Sequence, residues 1–183
     1  MKSVLRPVLS SLIVAAAVVA AGCATTKSEP IMPVKRVELD RFMGPWYVIA
    51  SIPTFLEKNA YNAVESYERN ADGSIKTTFT FHKGSFDGPV KTMHPTGYVL
   101  DASNATWGMQ FLWPIKAEYL IAHLDEKYSE TIIARSARDY VWIMARTPKI
   151  SDQDYQRLLQ KVATLGYDTS KVLRVPQEWP SKG

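Results

Sequence analysis

The sequence has a single cysteine, Cys23, among its 183 residues. A disulfide bond within the chain is therefore excluded, and so is a metal site built from several cysteines. Histidine is also scarce, and His82, His94 and His123 do not have the spacing of metal ligands. We expect no metal site and interpret the three histidines as surface or core residues.

The chain also lacks a strong charge of either sign and the common catalytic motifs. Its formal net charge is +4, and without residues 1–22 it has 20 basic and 18 acidic side chains, a balance of +2. This balance is too weak to indicate nucleic-acid binding. No phosphate-binding loop is present, and residues 84–88 have the wrong spacing for the nucleophile elbow of a hydrolase. We predict no catalytic residues and no cofactor.

The only long apolar run, Leu9–Ala21, follows the basic residues Lys2 and Arg6. The run is short for a membrane span and is typical of a signal peptide, which we assign to residues 1–22. It ends in small residues directly before Cys23, and this resembles the lipobox of bacterial lipoproteins. The resemblance implies that Cys23 is acylated, and Ala24 after it implies release to the outer membrane. Ordinary secretory cleavage beside an incidental cysteine is the alternative.

The sequence predicts three further segments. Residues 23–36 hold the lipidated cysteine and a polar, proline-containing tether, residues 37–176 form the domain, and residues 177–183 form a tail. Within the domain, short alternating runs are separated by turn signals, which is typical of an antiparallel all-β barrel or sandwich. The eight predicted strands are 47–52, 61–67, 74–82, 96–100, 106–113, 119–124, 128–136 and 140–146.

A single amphipathic helix is predicted after these strands. Ser151 is a suitable N-cap, Tyr155, Leu158 and Val162 fall on one apolar stripe, and Gly166 is a suitable end. We expect this helix to pack outside the sheet. A short ninth strand is predicted over 171–175.

The domain is organised around Gly44 and Trp46 at the start of the first strand. Gly44 suits a tight turn, and Trp46 begins the alternation that places Trp46, Val48 and Ala50 on one face. Arg146, at the end of the eighth strand, is a residue that could stack on the ring of Trp46. Such a pair would close one end of a barrel.

Three stretches together resemble the lipocalin family, and within it the bacterial lipocalins and the apolipoprotein D group. They are residues 42–50 with Gly44 and Trp46, residues 124–128 with Asp125, and residues 138–148 with Arg146. The resemblance covers about residues 37–176. It implies an eight-stranded antiparallel up-and-down β-barrel with one C-terminal helix packed outside and a short ninth strand.

The resemblance also implies a function. The barrel would bind one elongated apolar ligand, and the implied ligands are fatty acids, phospholipids or lysophospholipids. The implied role is storage or transport of lipids for the envelope, especially under stress. The implied location is the outer membrane, anchored through Cys23 and facing the periplasm, and a homodimer is left open. A catalytic thiol inside the barrel is lacking, so an enzyme is not expected. The alternatives are a lipocalin that binds haem, through His123, or another small hydrophobic ligand, and an anchored interaction module.

Candidate ligand-contacting residues follow from the resemblance and from alternation. Trp142 and Tyr67 match pocket residues of the apolipoprotein D group, and residues on the same strand faces are placed inside with them. The predicted ligand-binding set is Tyr67, Phe79, Phe111, Tyr140, Trp142, Met144 and Glu65. Packing at the closed end is the alternative role for each.

Two features leave alternatives open. Glu65 is an unexpected acid for an apolar interior. It faces the mouth, pairs with a cationic head group, is neutralised, or lies outside if the strand alternation slips by one residue. The apolar stretch 112–115, followed by Lys116, resembles a rim loop that dips into a membrane, or else it packs as a lid over the cavity.

Overall fold

The computed structural model describes residues 29–180. The predicted signal peptide, the acylation site Cys23 and the last three residues lie outside this range. Within it, no helix combines the length and the apolar character that crossing a bilayer would require.

The chain enters the barrel through a short helix and a tight turn. Helix α1 covers Leu39–Phe42, and Gly44 follows it with φ of +90°, a conformation that glycine adopts without strain. Strand β1 begins at this residue. The tight turn predicted at Gly44 is therefore present.

Ten strands follow one another almost entirely as antiparallel neighbours. β1 pairs with β2, the order continues through β3, β5, β6, β7, β8 and β9, and β9 pairs back with β1 to close the sheet into a barrel. The strands are β1 Gly44–Ile52, β2 Ala60–Arg69, β3 Ile75–Lys83, β4 Val90–Met93, β5 Thr96–Val99, β6 Thr106–Leu112, β7 Ile115–Leu124, β8 Glu130–Ala134, β9 Val141–Ala145 and β10 Leu173–Arg174.

The barrel has eight strand positions, as predicted, because β4 and β5 share one of them. Both pair with β3, and the residues between them, His94 and Pro95, interrupt the strand. The β4 portion was not predicted. β7 also begins four residues earlier than expected, at Ile115.

The end of the barrel at the start of β1 is closed by the predicted pair. Trp46 is fully buried, and its indole Nε1 donates a hydrogen bond of 2.9 Å to the carbonyl oxygen of Phe42. The Arg146 guanidinium carbon lies 3.8 Å from the centre of the Trp46 ring. Arg146 also donates to the carbonyl oxygens of Arg41 and Pro45, each at 2.8 Å. It therefore holds the entry helix and the first strand together.

Two separate apolar cores result from the strand alternation. The inner core fills the closed half of the barrel with Trp46, Trp107 and Tyr67. The outer core lies between the sheet and helix α2, Asp152–Thr164, which buries Leu158 and Val162. As predicted, the Ser151 side chain caps this helix by accepting a hydrogen bond of 3.0 Å from the backbone of Asp154.

Ala50 departs from the predicted alternation. The pairing of β1 with β9 shifts between Val48 and Ala50, so the strand has a bulge there. Val48 belongs to the inner core, whereas Ile49 and Ala50 both belong to the outer core. The expectation that Ala50 shares the face of Trp46 is therefore wrong.

The C-terminal segment lies against the open half of the barrel. β10 pairs with Ala50 and Ser51, beyond the point where the pairing of β1 with β2 ends. The Gln177 side chain then donates to the carbonyl oxygens of Val48 and Ala63, at 2.9 and 3.0 Å. Gln177 thus bridges the separated ends of β1 and β2.

Candidate functional site

A cavity of about 220 Å³ opens at the end of the barrel opposite Trp46. This end carries the loops that follow β1, β3, β6 and β8. Most of the cavity wall is apolar or aromatic, as in binding sites for small hydrophobic molecules. Five of the predicted ligand-binding residues line it: Glu65, Phe79, Phe111, Tyr140 and Trp142.

Tyr67 and Met144 are not among the lining residues. Both are completely buried and belong to the inner core beneath the cavity. The hydroxyl groups of Tyr67 and Tyr119 share a short hydrogen bond. Tyr119 itself lines the cavity, so Tyr67 supports the floor from below.

Glu65 faces the cavity, with 8% of its surface exposed. Its neighbours across the sheet are Trp46 and Phe79. Burial raises the pKa of Glu65 to about 8; Tyr67 partly opposes this rise and the carboxyl of Glu57 adds to it. A carboxyl group with this pKa is mostly protonated and uncharged at pH 7. The floor of the cavity is therefore polar but nearly neutral.

A second acid, Glu57, lines the same cavity from the loop after β1. It accepts a hydrogen bond of 3.0 Å from the indole Nε1 of Trp142, and this fixes the orientation of that ring. Burial raises the pKa of Glu57 as well, and hydrogen bonds from Trp142 and Thr54 oppose the rise. Sequence reasoning missed Glu57 because a loop has no alternation from which its direction could be inferred.

The mouth carries one cationic side chain that sequence reasoning also missed. Arg135 lines the cavity from the turn after β8, beside Tyr140, and pairs with Asp139 at 3.0 Å. Its Nε atom is buried and has no hydrogen-bond partner among residues 29–180. Arg135 is therefore the one cation among the described residues that line the cavity, it is already paired with Asp139, and a guanidinium group suits a carboxylate or phosphate group.

The rim of the mouth is strongly apolar. Trp113 is 83% exposed at the tip between β6 and β7, and it does not line the cavity. The full set of exposed apolar side chains on this tip and on the loop after β1, which we call the rim, is Phe55, Leu56, Phe111, Leu112, Trp113 and Ile115. Lid packing of Trp113 over the cavity is not observed.

His123, the candidate haem ligand, does not line the cavity. It is half-buried, and burial together with the nearby charges of Lys161 and Arg157 on helix α2 lowers its pKa to about 4. This places it on the helix side of the sheet. Within the described range, no group of three His, Cys, Asp or Glu side chains could hold a metal ion.

The family model described as "Lipocalin-like domain" matches residues 37–177, most of the chain. The chain belongs to the lipocalin family. Together with its cavity, this makes the lipocalin a binding protein for a lipid or another small hydrophobic ligand, the class of molecule that the family binds.

Several curated proteins are similar to this chain in sequence over most of their length. Temperature-induced lipocalin-1 of Arabidopsis thaliana is 30% identical over 83% of this chain and 86% of its own length. Outer membrane lipoprotein Blc of Citrobacter freundii is 29% identical, over 90% of this chain and 96% of its own. The Blc protein of Escherichia coli K12 is 27% identical over 89% and 92%.

Solved structures agree on the fold. Insecticyanin from the tobacco hornworm Manduca sexta superposes with a TM-score of 0.64 at 14% identity, covering 84% of this lipocalin and 86% of its own chain. Lobster apocrustacyanin A1 gives 0.61 at 13% identity, over 78% and 81%. At these identities the likeness concerns the barrel and not the ligand.

Proposed function

We propose that this lipocalin stores or transports fatty acids or (lyso)phospholipids for maintenance of the cell envelope, especially under stress. The single observation that supports this most is the apolar cavity with one cation, Arg135, at its mouth. An acyl chain fits the wall, and a carboxylate or phosphate head group fits Arg135. An eight-stranded barrel holds one such molecule.

The arrangement of charges favours entry of the acyl chain first. Glu65 lies at the floor and is mostly uncharged at neutral pH, so an acyl chain can rest against it without facing a buried anion. At the mouth, Glu118 and the ion-paired Asp139 lie at the same end as Arg135. An anionic head group would remain near Arg135, the one cation among the lining residues that the structure describes, and would not pass Glu57 and Glu65. Of the roles open to Glu65, we therefore favour neutralisation over pairing with a cationic head group.

The proposed location is the outer membrane of a Gram-negative bacterium, with the domain in the periplasm and Cys23 as the lipid anchor. Cys23 follows a signal-like segment, and relatives from three bacterial genera are named outer membrane lipoproteins. Two or three acyl chains give stable anchoring, unlike one. A further relative is named for induction by temperature, in keeping with a role under stress.

Identification of the lipid that copurifies with residues 24–183 tests the carrier role. We expect one fatty acid or lysophospholipid molecule per protein by mass spectrometry after extraction. Ala117→Trp, which fills the cavity wall, should lose it, while Ala102→Trp in an exposed turn at the closed end should keep it. Equal lipid in both variants, or none in the unmodified protein, would contradict storage in this cavity.

The anchor has its own test. Cys23→Ser should leave the precursor uncleaved before residue 23 and without label from radioactive palmitate, because the thiol that would be acylated is lost. The unchanged chain expressed in the same cells is the control. Palmitate that still enters the variant would show that acylation does not depend on Cys23.

A further inference from the structure

Exposed apolar side chains are concentrated at one end of the molecule. The described residues include eleven large apolar side chains that are exposed, and six of them form the rim. Phe55, Leu56 and Phe111 also line the cavity, so the two loops of the rim border the same opening. A contiguous group of exposed apolar side chains often marks an interaction site, whereas exposed apolar side chains that stand singly are common.

The N-terminal part of the described chain begins at the same end. The side chain of Arg138, in the turn after β8, donates a hydrogen bond to the carbonyl oxygen of Glu29. That turn belongs to the open end of the barrel, and Ile31 packs into the outer core nearby. The segment that leads back to Cys23 therefore leaves the domain beside the mouth.

The distance between the domain and its proposed anchor is short. Cys23 precedes Glu29 by six residues, which span at most about 20 Å when fully extended. An acylated Cys23 would hold the mouth within that distance of the bilayer. An orientation with the closed end against the bilayer and the mouth pointing away would place Glu29 about the length of the barrel from the surface, farther than six residues reach.

We propose that the mouth faces the bilayer that carries the anchor, and that the rim inserts into it. The orientation and the choice of a bilayer as the partner of the rim rest on the proposed acylation of Cys23, and the passage of ligand rests on the proposed carrier function; insertion of the rim can be measured without either. A lipid surface fits the rim better than a second copy does, because the anchor brings this end to a membrane. An acyl chain could then pass between bilayer and cavity without crossing water.

A chain of residues 24–183 allows a direct test, since it lacks acyl groups and contains no cysteine. Residues 29–180 include the closed barrel and both of its cores, so this chain retains the folded domain. An environment-sensitive fluorophore is attached through Leu112→Cys at the rim or through Leu100→Cys at the closed end. Both leucines are exposed, at 74% and 57%, so they form a matched pair.

Vesicles of phosphatidylethanolamine and phosphatidylglycerol should shift the emission of the label at position 112 to the blue and leave the label at position 100 unchanged. Trp113→Ser combined with Ile115→Ser should weaken vesicle binding at least about tenfold, since it removes two apolar anchors. Neither residue lines the cavity, so lipid binding in solution should remain. That binding is measured separately and distinguishes failure of this proposal from failure of the carrier function.

Three outcomes would overturn the proposal. One is the absence of a shift at position 112, and another is the same shift at both positions. The third is a shift at position 112 that rises with protein concentration without vesicles and coincides with dimers in sedimentation, which would make the rim an interface between two copies.

Discussion

Glu65 is the side chain whose charge decides how the cavity treats a ligand. Burial raises its pKa to about 8 in the folded chain, whereas the unfolded chain releases this proton near the ordinary value for glutamate. The folded state therefore holds the extra proton between these two values, and the free energy of unfolding should fall as pH rises through that range, by up to about 1.4 kcal/mol per pH unit. Above pH 8 the free energy of unfolding stays at this lowered value.

Lysophosphatidylcholine can report the role of Glu65, because its own charge does not change between pH 6 and about 9.5. If the acyl chain rests on Glu65, affinity should fall as the carboxyl ionises above pH 8, by about tenfold for each unit by which the bound chain raises the pKa further. Glu65→Gln should bind at neutral pH as the unmodified protein does and should lose this dependence. Isothermal titration across the pH range measures both.

The opposite sign of the pH dependence would support the alternative. If an ionised Glu65 met the choline group, affinity would rise with pH, and Glu65→Gln would weaken binding of lysophosphatidylcholine more than that of a fatty acid.

Trp46 and Arg146 make unequal contributions to the closed end. Trp46→Ala should lower the free energy of unfolding by about 3–5 kcal/mol, as for other large aromatic residues removed from cores. Arg146→Ala should cost less, about 1–3 kcal/mol, because water can reach several of the carbonyl groups it leaves. Urea denaturation measures both, with Trp46→Phe as the conservative control. A Trp46→Ala protein as stable as the unmodified one would show that Trp46 does not stabilise the closed end.

Helix α2 is an element that could be predicted from its local sequence alone. The cap Ser151, the apolar stripe and Gly166 are all encoded within sixteen residues, and the structure has the helix at the predicted place. The barrel strands were likewise predictable, because one buried face forces alternation. The prediction fails where strand geometry departs from a two-residue period.

β4 and the bulge in β1 show why the rest could not be predicted. β4 is four residues long, almost fully exposed and bounded by Pro89 and Pro95, so it has no apolar face to detect. The bulge before Ala50 depends on how β1 pairs with β9, nearly a hundred residues later. Glu57 is similar, because its position depends on the distant Trp142.

The C-terminal segment was expected to be a tail beyond the barrel, and in the structure part of it contacts the wall. The Glu178 backbone accepts from and donates to the side chain of Asn62, and Trp179 packs edge-on against Tyr47. Sequence gives no sign of these contacts, since the segment lacks periodicity. They support the wall where β1 and β2 separate.

The molecule as a whole combines a rigid closed end with an open, apolar end. Aromatic packing and the cap formed by Arg146 fill the closed half of the barrel, so the space for a ligand is limited to the open half. The cation Arg135, the rim and the start of the described chain all lie at that open end. This difference between the two ends is what a carrier loaded from one side requires.

The most direct test of the carrier function is the dependence of affinity on acyl chain length. Saturated fatty acids and lysophospholipids of increasing length are titrated into residues 24–183 and into Trp142→Phe, which removes the indole that lines the cavity. Each methylene removed from water contributes about 0.8 kcal/mol before the ordering costs of binding. Affinity should therefore rise with length and level off once the cavity is full, and Trp142→Phe should reduce the fluorescence response while the fold is retained. An affinity independent of chain length, with no change in Trp142→Phe, would mean that the barrel is filled by its own side chains and that the protein is an anchored interaction module.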